Sequence, residues 1–218
     1  MNILCFDTSL DKTYIAISVS KNFRQLEIKS DEKNYHSAYL LPEIKKILEE
    51  EKIAPKDLNT IATNCGPGSF TGIRAGLSVA KIMALELEIP VIRLNSCEIL
   101  AEAAANTGAK NPLVLLDARR SMYYFYKGKD IKLILKDEVQ KIPQNFPVVC
   151  DLNVYNDFGK IFGSRLINYQ EQNYPLAKVM YELALKKMKS SKNINEEFSH
   201  LKLKANYIQT PPVFTKGN

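Results

Sequence analysis

An aspartate that closes an apolar strand and opens a short polar turn occurs twice in this sequence, 110 residues apart. Residues 3–18 read "ILCFDTSLDKTYIAIS" and residues 113–128 read "LVLLDARRSMYYFYKG". Both run as an apolar strand, an aspartate, a tight turn and a second strand, placing Asp117 on Asp7 and Tyr124 on Tyr14. Identity between the copies is thin, so the repeat is structural in kind rather than a sequence duplication. Alternating strands and helices follow each copy, which predicts two related α/β lobes.

In the first lobe, strands are expected at 3–6, 13–20 and 24–30 as a meander, then at 59–65 and 90–94. A helix is expected at about 38–51, where Leu40, Leu41, Ile44, Ile47 and Leu48 form one stripe, provided Pro42 lies in the first turn. A second helix spans about 70–88, and "SCEILAEAAANT" forms a third. The second lobe continues with a strand at 146–151 and a helix around 176–190. The fold class is therefore α/β with duplicated lobes, the way actin-like (ribonuclease H-like) architectures are built. This predicts an N-terminal lobe over 1–105 that carries any partner-binding helices, and a smaller one over 106–218. The resemblance to actin-like ATPases is one of architecture and does not establish chemistry.

The chain carries 30 Lys and Arg against 24 Asp and Glu, a formal +6, unevenly divided. Residues 1–100 hold 12 against 13, and residues 101–218 hold 18 against 11. A basic second half suits a polyanion such as RNA, and equally a lysine-rich solvated surface. No apolar run approaches the ~20 residues that span a bilayer. The opening "MNILCFDTS" lacks a secretory pattern, so a cytoplasmic location with no membrane contact is expected. Four scattered cysteines form no C-x-x-C and are expected to be reduced.

The segment "NCGPGSFTGIRAG" (64–76) invites a phosphate-loop reading that its spacing does not support. Gly66 and Gly72 are wrongly separated for G-x-x-x-x-G-K-[ST], no lysine follows, and Pro67 removes a donor. The dinucleotide fingerprint also misses. His36 and His200 are the only histidines. Leu40 stands one turn after His36, where a metal pair would need a second ligand, so no metal is expected. If the lobes face each other, Asp7, Ser9 and Asp117 would line a nucleotide cleft, giving an ATPase or kinase as the alternative function. Each aspartate can equally be bonded to its own turn.

The helix after the glycine loop explains more. Phe70, Ile73, Leu77, Ala80, Ala84 and Leu87 form one apolar seam, and Gly72, Gly76, Val79 and Met83 form another. A helix apolar over most of its circumference needs cover over most of it. Two glycines inside a helix cost up to ~1 kcal/mol each, which implies close packing. A subunit interface is expected there, formed by Leu40, Ile44, Phe70, Gly72, Ile73, Gly76, Leu77, Ala80 and Met83. Ser69 or Thr71 would cap the helix.

"CGPGSFTGIRAGLSVAK", with "HSAYLLPEIKKIL" before it and "IPVIRLNSCEILA" and "LLDARRSMYY" after it, closely resembles the TsaB (YeaZ) family. The resemblance is strong over about 1–125 and weaker beyond. It implies a reduced actin-like fold and a non-catalytic scaffold role. The family pairs with a TsaD subunit through the two N-terminal helices, and a TsaE ATPase joins the larger complex. That complex transfers threonylcarbamoyl to the tRNA adenosine next to the anticodon. Contact with tRNA would then come through the complex, and the chain alone would form a homodimer. TsaD's metal-binding histidine pair corresponds to His36 and Leu40, so the second ligand is missing and no cofactor is implied. Gln209 departs from the family's C-terminal pattern, where arginine is usual.

Overall fold

The computed structural model describes residues 1–20, 22–29, 36–206 and 208, and for residues 36–38 the backbone alone. The first half runs β1 (Ile3–Asp7), β2 (Lys12–Val19), β3 (Asn22–Lys29), α1 (His36–Glu50), β4 (Thr60–Asn64), α2 (Phe70–Leu87), β5 (Val91–Leu94) and α3 (Ser96–Asn106). The second half repeats the order with β6 (Leu113–Asp117), β7 (Met122–Lys127), β8 (Asp130–Leu135), α4 (Lys136–Val139), β9 (Val148–Cys150), α5 (Leu152–Phe162), β10 (Leu166–Asn168) and α6 (Leu176–Ser190). A short α7 (Ile194–Glu197) follows. The strand order is β3-β2-β1-β4-β5 in one sheet and β8-β7-β6-β9-β10 in the other, a single topology used twice. This is the actin-like, ribonuclease H-like architecture. The second copy is reduced: β9 and β10 have 3 residues each and α4 has 4.

Alternation along the strands sorts the side chains into layers. In the first sheet Leu4, Phe6, Ile15, Ile17 and Ile61 face an outer core shared with α1 and α2. Ile3, Cys5, Tyr14, Ala16, Ala62 and Ile92 face an inner core with α3 and α6. In the second sheet Val114, Leu116, Tyr126 and Val149 join that inner core. Leu113, Leu115, Tyr123, Val148 and Cys150 pack outward on α5. The layers are therefore helices, sheet, helices, sheet, helices, with one core between the sheets. A division at residue 105 separates the sheets, but α6 packs on β1, β2, β3, β4 and β5, while α3 packs on β6 and β9. The inner helices thus cross that division.

Three expectations need correction. Pro42 is the seventh residue of α1 and lies beyond its first turn. Its ring nitrogen cannot donate to the carbonyl four residues earlier, so the helix lacks one bond there. The repeat also slips by one residue. Asp7 pairs with Tyr14, but Asp117 pairs with Tyr123, because the second turn is one residue shorter. Finally, β8, α5 and β10 were not anticipated. The four cysteines are all buried and free.

Candidate docking face and strand-end network

At the end of β1 the backbone enters a turn whose polar groups bond to one another. The Asp7 Oδ1 accepts from the Ser9 N–H and hydroxyl, both at 2.7 Å. The Asn64 amide donates to Ser9 Oγ and to Ser96 Oγ, both at 2.9 Å, and its Oδ1 accepts from the Gly66 N–H at 3.0 Å. Ser96 Oγ in turn donates to the Pro67 carbonyl. One connected network thus fastens β1, β4, the glycine loop and the start of α3, with Asp7 only 1% exposed and Ser9 only 3%. Burial pushes the Asp7 carboxyl above its usual range, and its Oδ2 has no partner among the described residues. Tyr169 is also buried. It senses carboxyls from both lobes (Asp11, Asp151 and Asp7), and its phenol is pushed up mainly by burial.

This geometry does not make the cleft expected from Asp7, Ser9 and Asp117. The offset of 110 residues joins positions of opposite parity. Asp7 follows Ile3 and Cys5, which face the inner core, whereas Asp117 follows Leu113 and Leu115, which face outward. Asp117 Oδ2 accordingly accepts from Asn153 of α5 at 2.9 Å, and its N–H donates to Asp151 Oδ2 at 2.6 Å. Its Oδ1 accepts from the Arg119 N–H at 2.7 Å. In this structure the two carboxyls are bonded within different layers, Asp7 to the β1–β2 turn and Asp117 to Asn153 of α5 and its own turn. Among the described residues no cluster of three or more His, Cys, Asp or Glu side chains could hold a metal ion. His36's side chain and Gln209 lie outside the described residues.

The glycine loop and α2 have an internal purpose. Ser69 caps α2, its Oγ accepting from the Gly72 N–H at 3.2 Å. A β-carbon at Gly68 would overlap the Ser9 carbonyl oxygen, and one at Gly72 the Thr8 carbonyl oxygen. At Gly76 it would lie 3.0 Å from Thr8 Oγ1. The hydroxyl of Thr8 donates to the Gly72 carbonyl at 2.6 Å. The close approach expected for a partner is therefore made by the chain's own β1–β2 turn. Leu40, Ile44, Ile73, Leu77 and Ala80 likewise belong to the chain's own outer core, at 8% exposure or less. Of the nine expected docking residues, only Phe70 at 57% and the half-buried Met83 present surface.

What α1 and α2 do show to water is a different set: Leu41 at 54%, Ile82 at 67% and Leu85 at 61%. Ile82 and Leu85 are three residues apart and share one face of α2, with Ser78 one turn before Ile82. The Arg74 guanidinium lies 5.2 Å from the centre of the Phe70 ring. The signal for these residues was legible in the sequence. Ile82 and Leu85 continue the stripe of Arg74, Ser78 and Lys81, where a solvated helix would carry polar residues.

Comparison with known proteins gives a consistent result. Residues 29–209 match the family model described as "TsaD: tRNA N6-adenosine threonylcarbamoyltransferase". A tRNA threonylcarbamoyladenosine biosynthesis protein TsaB from Buchnera aphidicola subsp. Schizaphis graminum is 37% identical over 165 residues, covering 68% of this chain and 78% of the relative. The TsaB protein of Bacillus subtilis is 34% identical over 143 residues, covering 63% and 61%. Among solved structures, a Pseudomonas aeruginosa protein described as similar to peptidase YEAZ superposes with a TM-score of 0.77 at 20% identity. It covers 95% of this chain and 99% of its own.

Proposed function

We propose, for a chain that belongs to the TsaB family of tRNA threonylcarbamoyladenosine biosynthesis proteins, a non-catalytic role as the scaffold that docks and activates a TsaD-type subunit. The observation that carries this reading is the outer surface of α1 and α2, where Leu41, Ile82 and Leu85 are more than half exposed. Burying one such side chain is worth about 1.5–3 kcal/mol, so a partner that covers several gains most of a micromolar affinity from them. The docking residues are thus the outward ones rather than the seam that faces the sheet. A TsaE-type ATPase joins the assembly and tRNA is engaged through it. In the absence of TsaD the same face brings two copies together. The setting is cytoplasmic, and no described helix is long and apolar enough to cross a membrane.

The non-catalytic part rests on Asp7 and Asp117 being committed to different layers, with Asp7 sealed from solvent. The test is co-purification of a TsaD subunit with the wild-type chain and with Ile82→Asp/Leu85→Asp. Capture by the wild type and its loss in the folded double variant is the expected result. Equal capture by both refutes the docking face. Calorimetry with ATP and Mg²⁺ on the chain alone addresses the kinase or ATPase alternative, and micromolar binding with turnover would establish it.

A further inference from the structure

The turn joining β6 to β7 is built against its own stability. Arg119, Arg120 and Ser121 follow one another at φ 66°, 54° and 57°. In this left-handed region only glycine sits without a steric penalty, and side chains rarely enter it as a run. A turn selected for stability would use glycine or asparagine here; this one keeps two arginines and a serine. The hairpin closes through Ala118 N–H to the Met122 carbonyl at 2.9 Å and Met122 N–H to the Arg119 carbonyl at 3.1 Å. Arg119's own N–H is taken by Asp117. The N–H groups of Arg120 and Ser121 have no acceptor among the described residues, and both residues are exposed.

The side chains add charge. Arg119 is 80% exposed, with its guanidinium 3.3 Å from Asp117 Oδ2, which Asn153 holds from the other side. Arg120 is exposed, and no ion pair involves it among the described residues. The matching turn of the first lobe starts from the same aspartate-to-N–H bond but is covered. It is roofed by its own glycine loop and helix, with Gly68 resting on Ser9 and Gly72 on Thr8. Of two equivalent turns, one is sealed and the other is left open with two cations.

We propose that the Arg119–Ser121 turn receives phosphates of an RNA backbone. Two guanidiniums, two N–H groups without an acceptor among the described residues and a hydroxyl are the donor types that phosphodiester oxygens take. The turn also belongs to the half of the chain that carries 18 basic against 11 acidic residues. The contact positions RNA without reading its sequence, because none of these donors has to reach a base edge. Asp117 is a positioning residue that aims Arg119. The inference rests on the docking reading above, since the RNA is taken to be the tRNA bound by the assembled complex.

The experiment uses the full chain assembled with its TsaD subunit and fluorescently labelled unmodified tRNA, titrated at several salt concentrations. Size-exclusion chromatography first checks assembly; failure of the wild-type chain to assemble sinks the docking reading, not the turn. In an assembled complex, Arg119→Gln/Arg120→Gln should weaken tRNA binding about tenfold at ~0.1 M salt. It should also flatten the plot of log affinity against log salt by about one to two, since each lost phosphate contact removes roughly 0.7–0.9. Arg120→Gly separates binding from folding, because it should raise Tm while lowering tRNA affinity. Unchanged affinity and slope in the double variant overturn the proposal. So does loss of assembly in that variant, which would make the turn a protein contact.

Discussion

At Gly72 a β-carbon would overlap the Thr8 carbonyl oxygen and come within 2.8 Å of its carbonyl carbon. Backbone cannot retreat as a side chain tip can, so Gly72→Ala should cost about 3 kcal/mol or more. Gly76 is the informative contrast. Its nearest neighbour is a hydroxyl at 3.0 Å, and the alanine recovers up to about 1 kcal/mol of helix propensity. Gly76→Ala should therefore lie within about 1 kcal/mol of wild type, and urea unfolding of both variants checks the pair. Asp7 makes a prediction of the opposite sign. Its folded-state pKa is raised, chiefly by burial and least by Asp11, against the hydrogen bonds from Ser9 and the polar amide of nearby Asn64, which lower it. The native state therefore holds the proton more tightly than the unfolded chain does. The stability this group contributes is full below the unfolded value of about 3.9 and is lost as pH rises through the folded value. Asp7→Asn keeps an acceptor for Ser9 without the charge, so it should stabilise the protein at pH 7, with an advantage that shrinks towards pH 4. A catalytic aspartate would show no such gain without loss of function, and thermal melts across that range decide the matter.

The helix α2 shows how much the sequence discloses about an element and where it stops. Its approximate limits, a cap at Ser69 or Thr71 and the buried Ile73, Leu77, Ala80 and Ala84 of its seam were legible, because periodicity and capping are local properties. Which seam faces a neighbour is not local. Gly72 and Gly76 announce a close approach but do not say to what, and the answer, Thr8, lies 64 residues away. The paired aspartates misled for a similar reason. Aligning the two aspartates sets inward positions of β1 on outward positions of β6, and a one-residue error of register is hard to detect where identity is thin. Helix α5 was missed although Val154, Phe158 and Phe162 recur at four-residue steps and are all buried. Gly159 and the asparagines of that segment weaken its helical propensity. The strand β10, at 3 residues, offers too little pattern to find. The corrected geometry of α2 yields its own test. Leu77, at 8% exposure in the outer core, should not survive replacement by Asp, and that variant should unfold. Ile82→Asp/Leu85→Asp changes only exposed positions and should keep its stability within about 1 kcal/mol, apart from its effect on partner binding. Circular dichroism melts of the two variants, run beside the capture experiment, tell a damaged fold from a damaged surface.

At the scale of the whole molecule the two sheets are not independent cores joined by a linker. The helix α6, drawn from residues 176–190, lies on all five strands of the first sheet. Its Leu176, Ala177, Val179, Met180, Leu183 and Ala184 share one buried cluster with Ile3, Cys5, Ala16, Ala62 and Ile92, and with Val114 and Val149 from the other sheet. The chain then returns along the open edge of β5, where Val91 N–H donates to the Phe198 carbonyl at 2.7 Å, and Leu203 enters the outer core. A fragment of residues 1–105 would therefore lose the cover of one entire face of its sheet and the segment that closes its edge. Exposed apolar sheet faces and unpaired edges associate non-specifically. The fragment alone should bind a hydrophobic dye and aggregate, although it contains both helices of the docking face. Residues 106–218 supplied in trans should restore a soluble complex, because the missing contacts are all non-covalent. A monomeric, cooperatively folding 1–105 fragment would show that the first sheet closes without α6. In that case the docking face could be detached from the rest of the molecule. If instead the fragment folds only with its other half, the inner helices bind the docking face and the basic turn of the second lobe into one rigid unit. That rigidity is what the proposed docking of a partner and the proposed RNA contact would both require of one chain.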